Sequence, residues 1–468
     1  MGTTTVSPSR RKQILKVLFI SLLLDLVSFT FILPLFPSLL TFYLNRDPSP
    51  TSLLHRILHY LNAYKNSFAR PIDSRYDIVL LGGALGSLFS LLQAIAAPFI
   101  GRLSDNHGRR TALLCSMAGN IASVALWVAA TDFRTFLGSR IIGGLSEGNV
   151  QIANAIATDI SDEGQRGATM ALVGVCFSVA FTFGPAMGAA LAGITTVTEN
   201  PFATAAGCSL LLIVVETVYL YFYLPETHPR FAKIRKDVHS STSTPAVATS
   251  VGDKLDKNNL KAEQKPSTTI KVTATPKNYT NPPILLNLTH FLFLLPFSGL
   301  EFSLPFLTTT LYASTNSSVS PSAQNGRLLS VMGLLASLLQ GTLVRRLPPL
   351  LTVRIGVTAC ALSFFILSRV STVSGLYGAG CLLAVTSATV VTGLNSLGSL
   401  EASEGERGVF LGRLRSWGQA GRASGPVVFC TLFWWAGREV AYMVGGVGML
   451  GVCALVFGCL RTPVTSKI

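Results

Sequence analysis

The chain reads as an all-α membrane protein, with twelve transmembrane helices in two pseudo-symmetric six-helix bundles. Three observations point there. Of its 468 residues, 49% are hydrophobic and 13% charged, about half the charged share of a soluble domain, and mean hydropathy is +0.50. Apolar runs of about 18 to 25 residues, long enough to cross a bilayer, recur along nearly the whole length. Short motifs also repeat at a constant spacing. Arg166-Gly167 recurs as Arg407-Gly408, Gly184-Pro185 as Gly425-Pro426, and Asn154 as Asn395, each 241 residues apart. A shared offset of this kind marks an internal duplication.

The elements follow in order. A basic tail (1–13, with Arg10, Arg11 and Lys12) leads into helix 1 at about 14–42, interrupted by Pro34 and Pro37. That run is too long for the core of a signal peptide, so it reads as an uncleaved first helix. In the polar segment that follows, Leu53, Leu54, Ile57, Leu58 and Leu61 recur at helical spacing and predict a short amphipathic surface helix. Helices 2 and 3 (about 78–100 and 111–130) flank the decapeptide 101–110, read as a tight hairpin loop. Helix 4 is expected over about 135–160, helix 5 over 168–194 and helix 6 over 202–224. Residues 225–283 are rich in Ser, Thr, Lys and Pro without apolar period and read as a disordered linker. Six further runs lie at about 284–313, 325–344, 351–370, 375–399, 408–434 and 440–460. The expected bundles are therefore 14–224 and 284–461, closed by a tail at 462–468.

The formal charge of +15 does not point to nucleic acid, because the Lys and Arg residues concentrate in the loops assigned to the cytosol. Most of the eight cysteines, Cys115, Cys176, Cys360 and Cys430 among them, fall inside apolar runs and act as small hydrophobes. His55 and His59 have ligand spacing but lack an evident third ligand, so no metal is expected. No nucleotide-binding loop or nucleophile–base set is present, so neither ATP, a cofactor nor enzyme chemistry is expected. Asn316-Ser-Ser318 is a glycosylation acceptor in a predicted outer loop, and Asn278-Tyr-Thr280 falls on the predicted cytosolic side.

Charges inside apolar runs cost at least about 2.5–3.5 kcal/mol each at mid-helix, so they are functional candidates. Asp25 in helix 1 and Glu147 in helix 4 are carboxylates in such positions; Arg140 lies two turns from Glu147. A carboxylate away from water can exchange a proton near neutrality, and a nearby guanidinium sets that balance without titrating itself. Asn149, Gln151, Asn154, Asn395, Trp417, Glu301 and Arg422 supply polar, aromatic or charged groups for a cavity wall, with Glu301 and Arg422 at comparable depth. Glu216 is a further buried charge, and Arg413 and Arg415 are expected to snorkel or attract anions near the entrance. In the decapeptide, Gly101 and Gly108 permit a sharp turn, while Asp105 can cap a helix or accept from Arg109.

The decapeptide Gly-Arg-Leu-Ser-Asp-Asn-His-Gly-Arg-Arg resembles the helix 2–3 signature of the major facilitator superfamily, Gly-x-Leu-Ala-Asp-Arg-x-Gly-Arg-Lys. It matches at Gly101, Leu103, Asp105, Gly108 and Arg109 and departs at Ser104 and Asn106. Leu24-Asp25 followed by Pro34-Leu-Phe-Pro37 resembles the helix 1 motif of tetracycline-type drug:proton antiporters. Arg140 with Gly143 and Gly144 resembles the superfamily's helix 4 motif, and Gly184-Pro185-Ala-Met-Gly188 its antiporter motif, with Ala189 replacing a final glycine. The resemblance is greatest to tetracycline-transporter-like members. It implies the major facilitator fold, alternating access, and proton-coupled efflux of small amphipathic molecules or organic anions. Gly101, Asp105, Gly108 and Arg109 would then latch the bundles, while Asp25 and Glu147 alternate between proton and substrate under the influence of Arg140. The alternatives are a facilitator or symporter of the same fold, and a scaffold or receptor that moves nothing. The expected partners are a small substrate, protons and the bilayer, for a monomer with both termini cytosolic, in the plasma membrane or an organelle membrane.

Overall fold

The computed structural model describes residues 7–32, 35–47, 49–68, 77–192, 194, 197, 199–231, 279–313 and 321–463. Pro34, Asn278, the glycosylation acceptor at 316–318, and residues 232–278 of the expected linker lie outside them.

The first half comprises α1 (Pro8–Thr30), α2 (Phe36–Arg46), α3 (Leu53–Asn66), α4 (Asp77–His107), α5 (Arg109–Val128), α6 (Phe133–Ser146), α7 (Asn149–Asp159), α8 (Glu163–Ala192) and α9 (Ala203–Tyr223). The second comprises α10 (Pro283–Ala313), α11 (Pro321–Thr342), α12 (Pro349–Arg369), α13 (Val373–Glu401), α14 (Arg407–Ala436) and α15 (Arg438–Gly458). Ten helices are long and apolar enough to cross a membrane. The broken pair α6/α7 and the arginine-bearing α14 bring the set to twelve, and no strand occurs among the described residues.

Each half has its own apolar core. Leu39, Trp127, Phe136 and Ile213 belong to one, and Phe293, Phe364, Leu394 and Tyr442 to the other. The outward faces are apolar too: Leu211 is 63% and Phe222 73% exposed. Apolar surface on both sides of a helix belongs in lipid, not water.

The duplication appears as matching close approaches. A Cβ on Gly184 of α8 would strike Thr30 of α1, and one on Gly425 of α14 would strike Ser298 and the Leu295 carbonyl of α10. The halves meet along α4 with α14 and α8 with α11. Gly101 and Gly408 pack backbone to backbone, and Ser178 donates to Gln340 Oε1 at 2.6 Å. At the other end, Phe302 lies over Gly83. There α3 also reaches across, through a Tyr64–Thr431 hydroxyl bond and the packing of Tyr64 and Phe68 on Trp434.

Three local expectations change. The expected tail is partly helix, since α1 starts at Pro8, where a proline's missing N–H costs nothing; Arg11 there donates to Thr169 of α8 at 3.0 Å. The stretch 101–110 is not a hairpin loop. α4 runs on to His107, and the whole reversal falls on Gly108 with φ +92°, a backbone state that glycine adopts without strain. Helix 4 is not continuous; it breaks at Glu147 and Gly148.

Gly188→Ala should lower the thermal midpoint of the detergent-purified protein, because its new methyl would enter the Phe31 backbone, an overpacking cost of about 1–3 kcal/mol. Gly86→Ala, with nothing nearby to strike, should leave the midpoint unchanged or raise it.

Candidate functional site

The break in helix 4 builds the first polar site. Gly148 disfavours helix, and the freed backbone groups must be satisfied locally at membrane depth. Ser116 of α5 does this, accepting from Gly148 N at 2.9 Å and donating to the Ser146 carbonyl. Glu147 is thereby placed at the end of α6, where Asn120 Nδ2 donates to its Oε2 at 3.4 Å. Asp25 lies on the face of α1 that also carries Ser21 and Ser28. Ser21 donates to Glu216 Oε1 at 2.6 Å, and the Ser28 and Ser209 hydroxyls meet at 2.6 Å. Asp25 is 3% exposed, with Asn149 and Glu147 facing it. Arg140 is held by rings, its guanidinium 5.8 Å from the Trp127 centroid and 5.6 Å from that of Phe136. It forms no ion pair among the described residues.

Asp25, Arg140, Glu147, Asn120, Phe29 and Trp127 thus line one cavity of about 40 Å³. That is room for water-sized guests, against roughly 300 Å³ or more for an organic ligand. Not every expected cavity residue gathers there. Gln151 donates to the Ala97 carbonyl at 2.9 Å, bracing α7 on α4. Asn154 is buried, and Asn395 is half-buried on α13. Asn149 donates to Met117 Sδ at 3.1 Å. In the second half, Arg422 and Glu301 pair at 2.6 Å, and Trp417 stands edge-on to Phe291. Arg415 does not snorkel: its Nε is buried, and Glu147 and Asp25 are the carboxylates that face it.

The second polar site joins the halves at the Gly108 turn. Asp105 Oδ1 accepts from Gly408 N at 2.9 Å and Oδ2 from Val409 N at 2.7 Å, so a carboxylate of one half caps the N-terminus of α14 in the other. Arg109, fully buried, bonds Asp105 at 2.6 Å and Asp159 at 2.7 Å, and Arg407 takes the other Asp159 oxygen at 2.8 Å. Glu226 accepts from Arg109 N at 2.9 Å and Arg110 N at 3.2 Å, capping α5. At the duplicated position, Arg166 donates to the Ser399 carbonyl at 2.9 Å.

Sequence reading missed Asp159 as a partner and assigned Glu226 and His228 to the linker. Asp159 ends an apolar run, and Arg407 opens one at the repeat of Arg166; those positions were the available signal. Glu226 lies in Leu-Pro-Glu-Thr at the exit of α9. His228 is buried beside this site, where burial first and then the Arg109 charge hold its imidazole below the ordinary value.

Two six-helix halves, apolar outside and joined by breakable polar contacts around a charged interior, define a membrane transporter. The chain belongs to the Major Facilitator Superfamily, whose profile matches residues 18–426. It is 34% identical to mouse major facilitator superfamily domain-containing protein 10, covering 93% of this chain and 91% of that one, and 33% identical to the human protein over 93% and 90%. The tetracycline resistance protein, class G, of Vibrio anguillarum is 33% identical over 31% of this chain and 36% of its own length. The crystal structure of the human organic anion transporter MFSD10 (TETRAN) superposes with TM-score 0.77 at 31% identity, covering 96% of this chain and all of that one.

Asp159→Asn leaves two buried guanidinium groups without their shared charge, a cost of about 3–5 kcal/mol. In a cysteine-free background carrying Ser396→Cys at the α8–α13 contact, that change should speed maleimide labelling tenfold or more. An unaltered rate would mean that Asp159 does not hold the halves together.

His228 gives a pH dependence. Its folded pKa lies below the unfolded value, so the folded state binds fewer protons. Stability is complete above about pH 6.5 and falls as the pH drops below it. The thermal midpoint of the wild type should therefore decline more on acidification than that of His228→Gln.

Proposed function

We propose that this transporter is proton-coupled and moves small amphipathic organic molecules or organic anions by alternating access. Two domains, 14–224 and 284–461, would rock against each other as a monomer, with the Gly108 turn and both termini on the cytosolic side. Asp25 and Glu147 carry the proton, and Arg140 sets their balance from its aromatic seat. The observation that supports this most is the burial of Asp25 beside Glu147 with no ion pair to either carboxylate among the described residues. Permanently charged, such groups are expensive in a membrane interior; charged only in turn, they serve as an exchange site. Exchange of substrate for protons, hence efflux, follows where substrate and proton compete for the same carboxylate. Asp105, Arg109, Gly101 and Gly108 act as the gate, and Gly184, Pro185 and Gly188 as the antiporter-type packing on α1. The human relative of known structure is an organic anion transporter, which supports the anion class. A second reading, symport, is favoured for anionic substrates by Arg415, which faces both carboxylates.

The test is gradient-driven uptake of a fluorescent tetracycline into proteoliposomes. The wild type should accumulate it under an imposed pH gradient and lose accumulation with a protonophore, and Asp25→Asn should reduce gradient-driven uptake at least tenfold. Equal uptake by both would remove Asp25 from the coupling, and gradient-independent uptake would favour a facilitator.

A further inference from the structure

Arg415 differs from Arg109, Arg407, Arg422, Arg166 and Arg140. Arg109 and Arg407 share Asp159, Arg422 pairs with Glu301, Arg166 donates to the Ser399 carbonyl, and Arg140 lies against two rings. Arg415 has no hydrogen bond, ion pair or ring partner among the described residues, although its Nε is closed off from solvent.

Its backbone is nonetheless pinned from both halves. Ser416 Oγ donates to the Ala94 carbonyl of α4 at 2.6 Å, and Gly412 abuts the Ala97 carbonyl. On the other side, the Leu414 carbonyl and His290 Nδ1 of α10 lie 2.9 Å apart. The guanidinium is therefore the free part of a fixed frame. Facing it are Glu147 and Asp25 from the first half, Arg422 two turns along its own helix, and His290 from α10. Neither Glu147 nor Asp25 is ion-paired among the described residues. The repulsion from Arg422 is blunted by Glu301. A half-buried guanidinium with open donors at the seam between two halves is suited to bind a planar anion through two parallel hydrogen bonds.

We propose that Arg415 receives the carboxylate or sulfonate of an amphipathic organic anion, and that the anion brings one proton with it onto Glu147 or Asp25. Arg415 is the positive charge that compensates those two carboxylates across the seam. An anion that occupies it takes that charge away, and a buried carboxylate left uncompensated is costly. A proton bound from solvent removes the cost. One negative and one positive charge enter together, so the interior keeps its net charge. The sign of coupling then depends on the substrate. An anion travels with the proton, whereas an uncharged or cationic molecule competing for the same carboxylate exchanges against it. This inference rests on the reading of Asp25 and Glu147 as proton sites.

The experiment is calorimetric titration of the full-length protein in nanodiscs with 2-naphthoate and, separately, with 2-naphthamide. It is run in two buffers of different ionisation heat, so that proton uptake is read directly. The wild type should bind naphthoate at least tenfold more tightly than the amide and take up one proton per anion. Arg415→Gln should weaken naphthoate about tenfold or more, with Arg415→Lys recovering part of the loss. Asp25→Asn with Glu147→Gln should bind naphthoate without proton uptake. Absent naphthoate binding, equal affinity for the two probes, or full affinity in Arg415→Gln would overturn the anion site. Proton release on binding would overturn the coupling. Because binding is read without translocation, any of these results leaves the outcome of the gradient-driven uptake experiment to be judged on its own.

Discussion

The Asp159 carboxylate, held by Arg109 from its own half and Arg407 from the other, is the contact on which the arrangement of the two halves depends. Beside it, Asp105 neutralises the positive end of α14, a charge–dipole contact worth about 0.3–2 kcal/mol. Neither contact is a large net stabiliser, since burying the ions offsets much of their attraction. Their value is geometric. The Gly408 and Val409 N–H groups and the Arg407 guanidinium reach their carboxylates only where the Gly101 and Gly408 backbones touch, so these contacts fix how the two halves register on this face.

Two short helical segments connect this tie to the charged interior. α7 has 11 residues, about 16 Å of rise, and runs from Asn149 beside Asp25 to Asp159 at the tie. α14 leads from Arg407 at the tie to Arg415, two turns inward. The break at Gly148 makes α7 a separate rod, no longer a continuation of α6, so the placement of Asn149 and that of Asp159 are mechanically linked. The cavity around Asp25 and Glu147, lined by the first half alone, is far smaller than an organic molecule.

Most of the architecture was legible in the residues because membrane helices must be long and apolar, and because the Arg-Gly and Gly-Pro pairs recur at one offset. The amphipathic spacing of Leu53, Ile57 and Leu61 located α3. What escaped depended on contacts between segments remote in sequence. Apolar periodicity cannot register the break at Glu147, which exists because a serine on α5 satisfies the loose backbone. Composition placed Glu226 and His228 in a linker, though the N–H groups of α5 hold Glu226. Arg415 looked like an entrance residue from its distance to the helix end; only the approach of α1 and the α6/α7 break turns it into the counter-charge of the other half. The comparable depth of Glu301 and Arg422 was legible from the sequence, but depth alone did not decide between a pair and two separate groups for the cavity wall.

α14 has a consequence for how the protein is made. It carries four arginines, Arg407, Arg413, Arg415 and Arg422, where a single one at mid-helix costs about 2.5–3.5 kcal/mol on insertion scales, and it is not among the helices that qualify as spans by composition. It cannot partition from the translocon into lipid on its own apolarity. It enters the bilayer as a client of helices already there, with α10 offering the Glu301 carboxylate to Arg422 and α7 the Asp159 carboxylate to Arg407. Damage to those earlier helices would then appear first as failed biogenesis of a later one, in a protein whose own α14 sequence is intact.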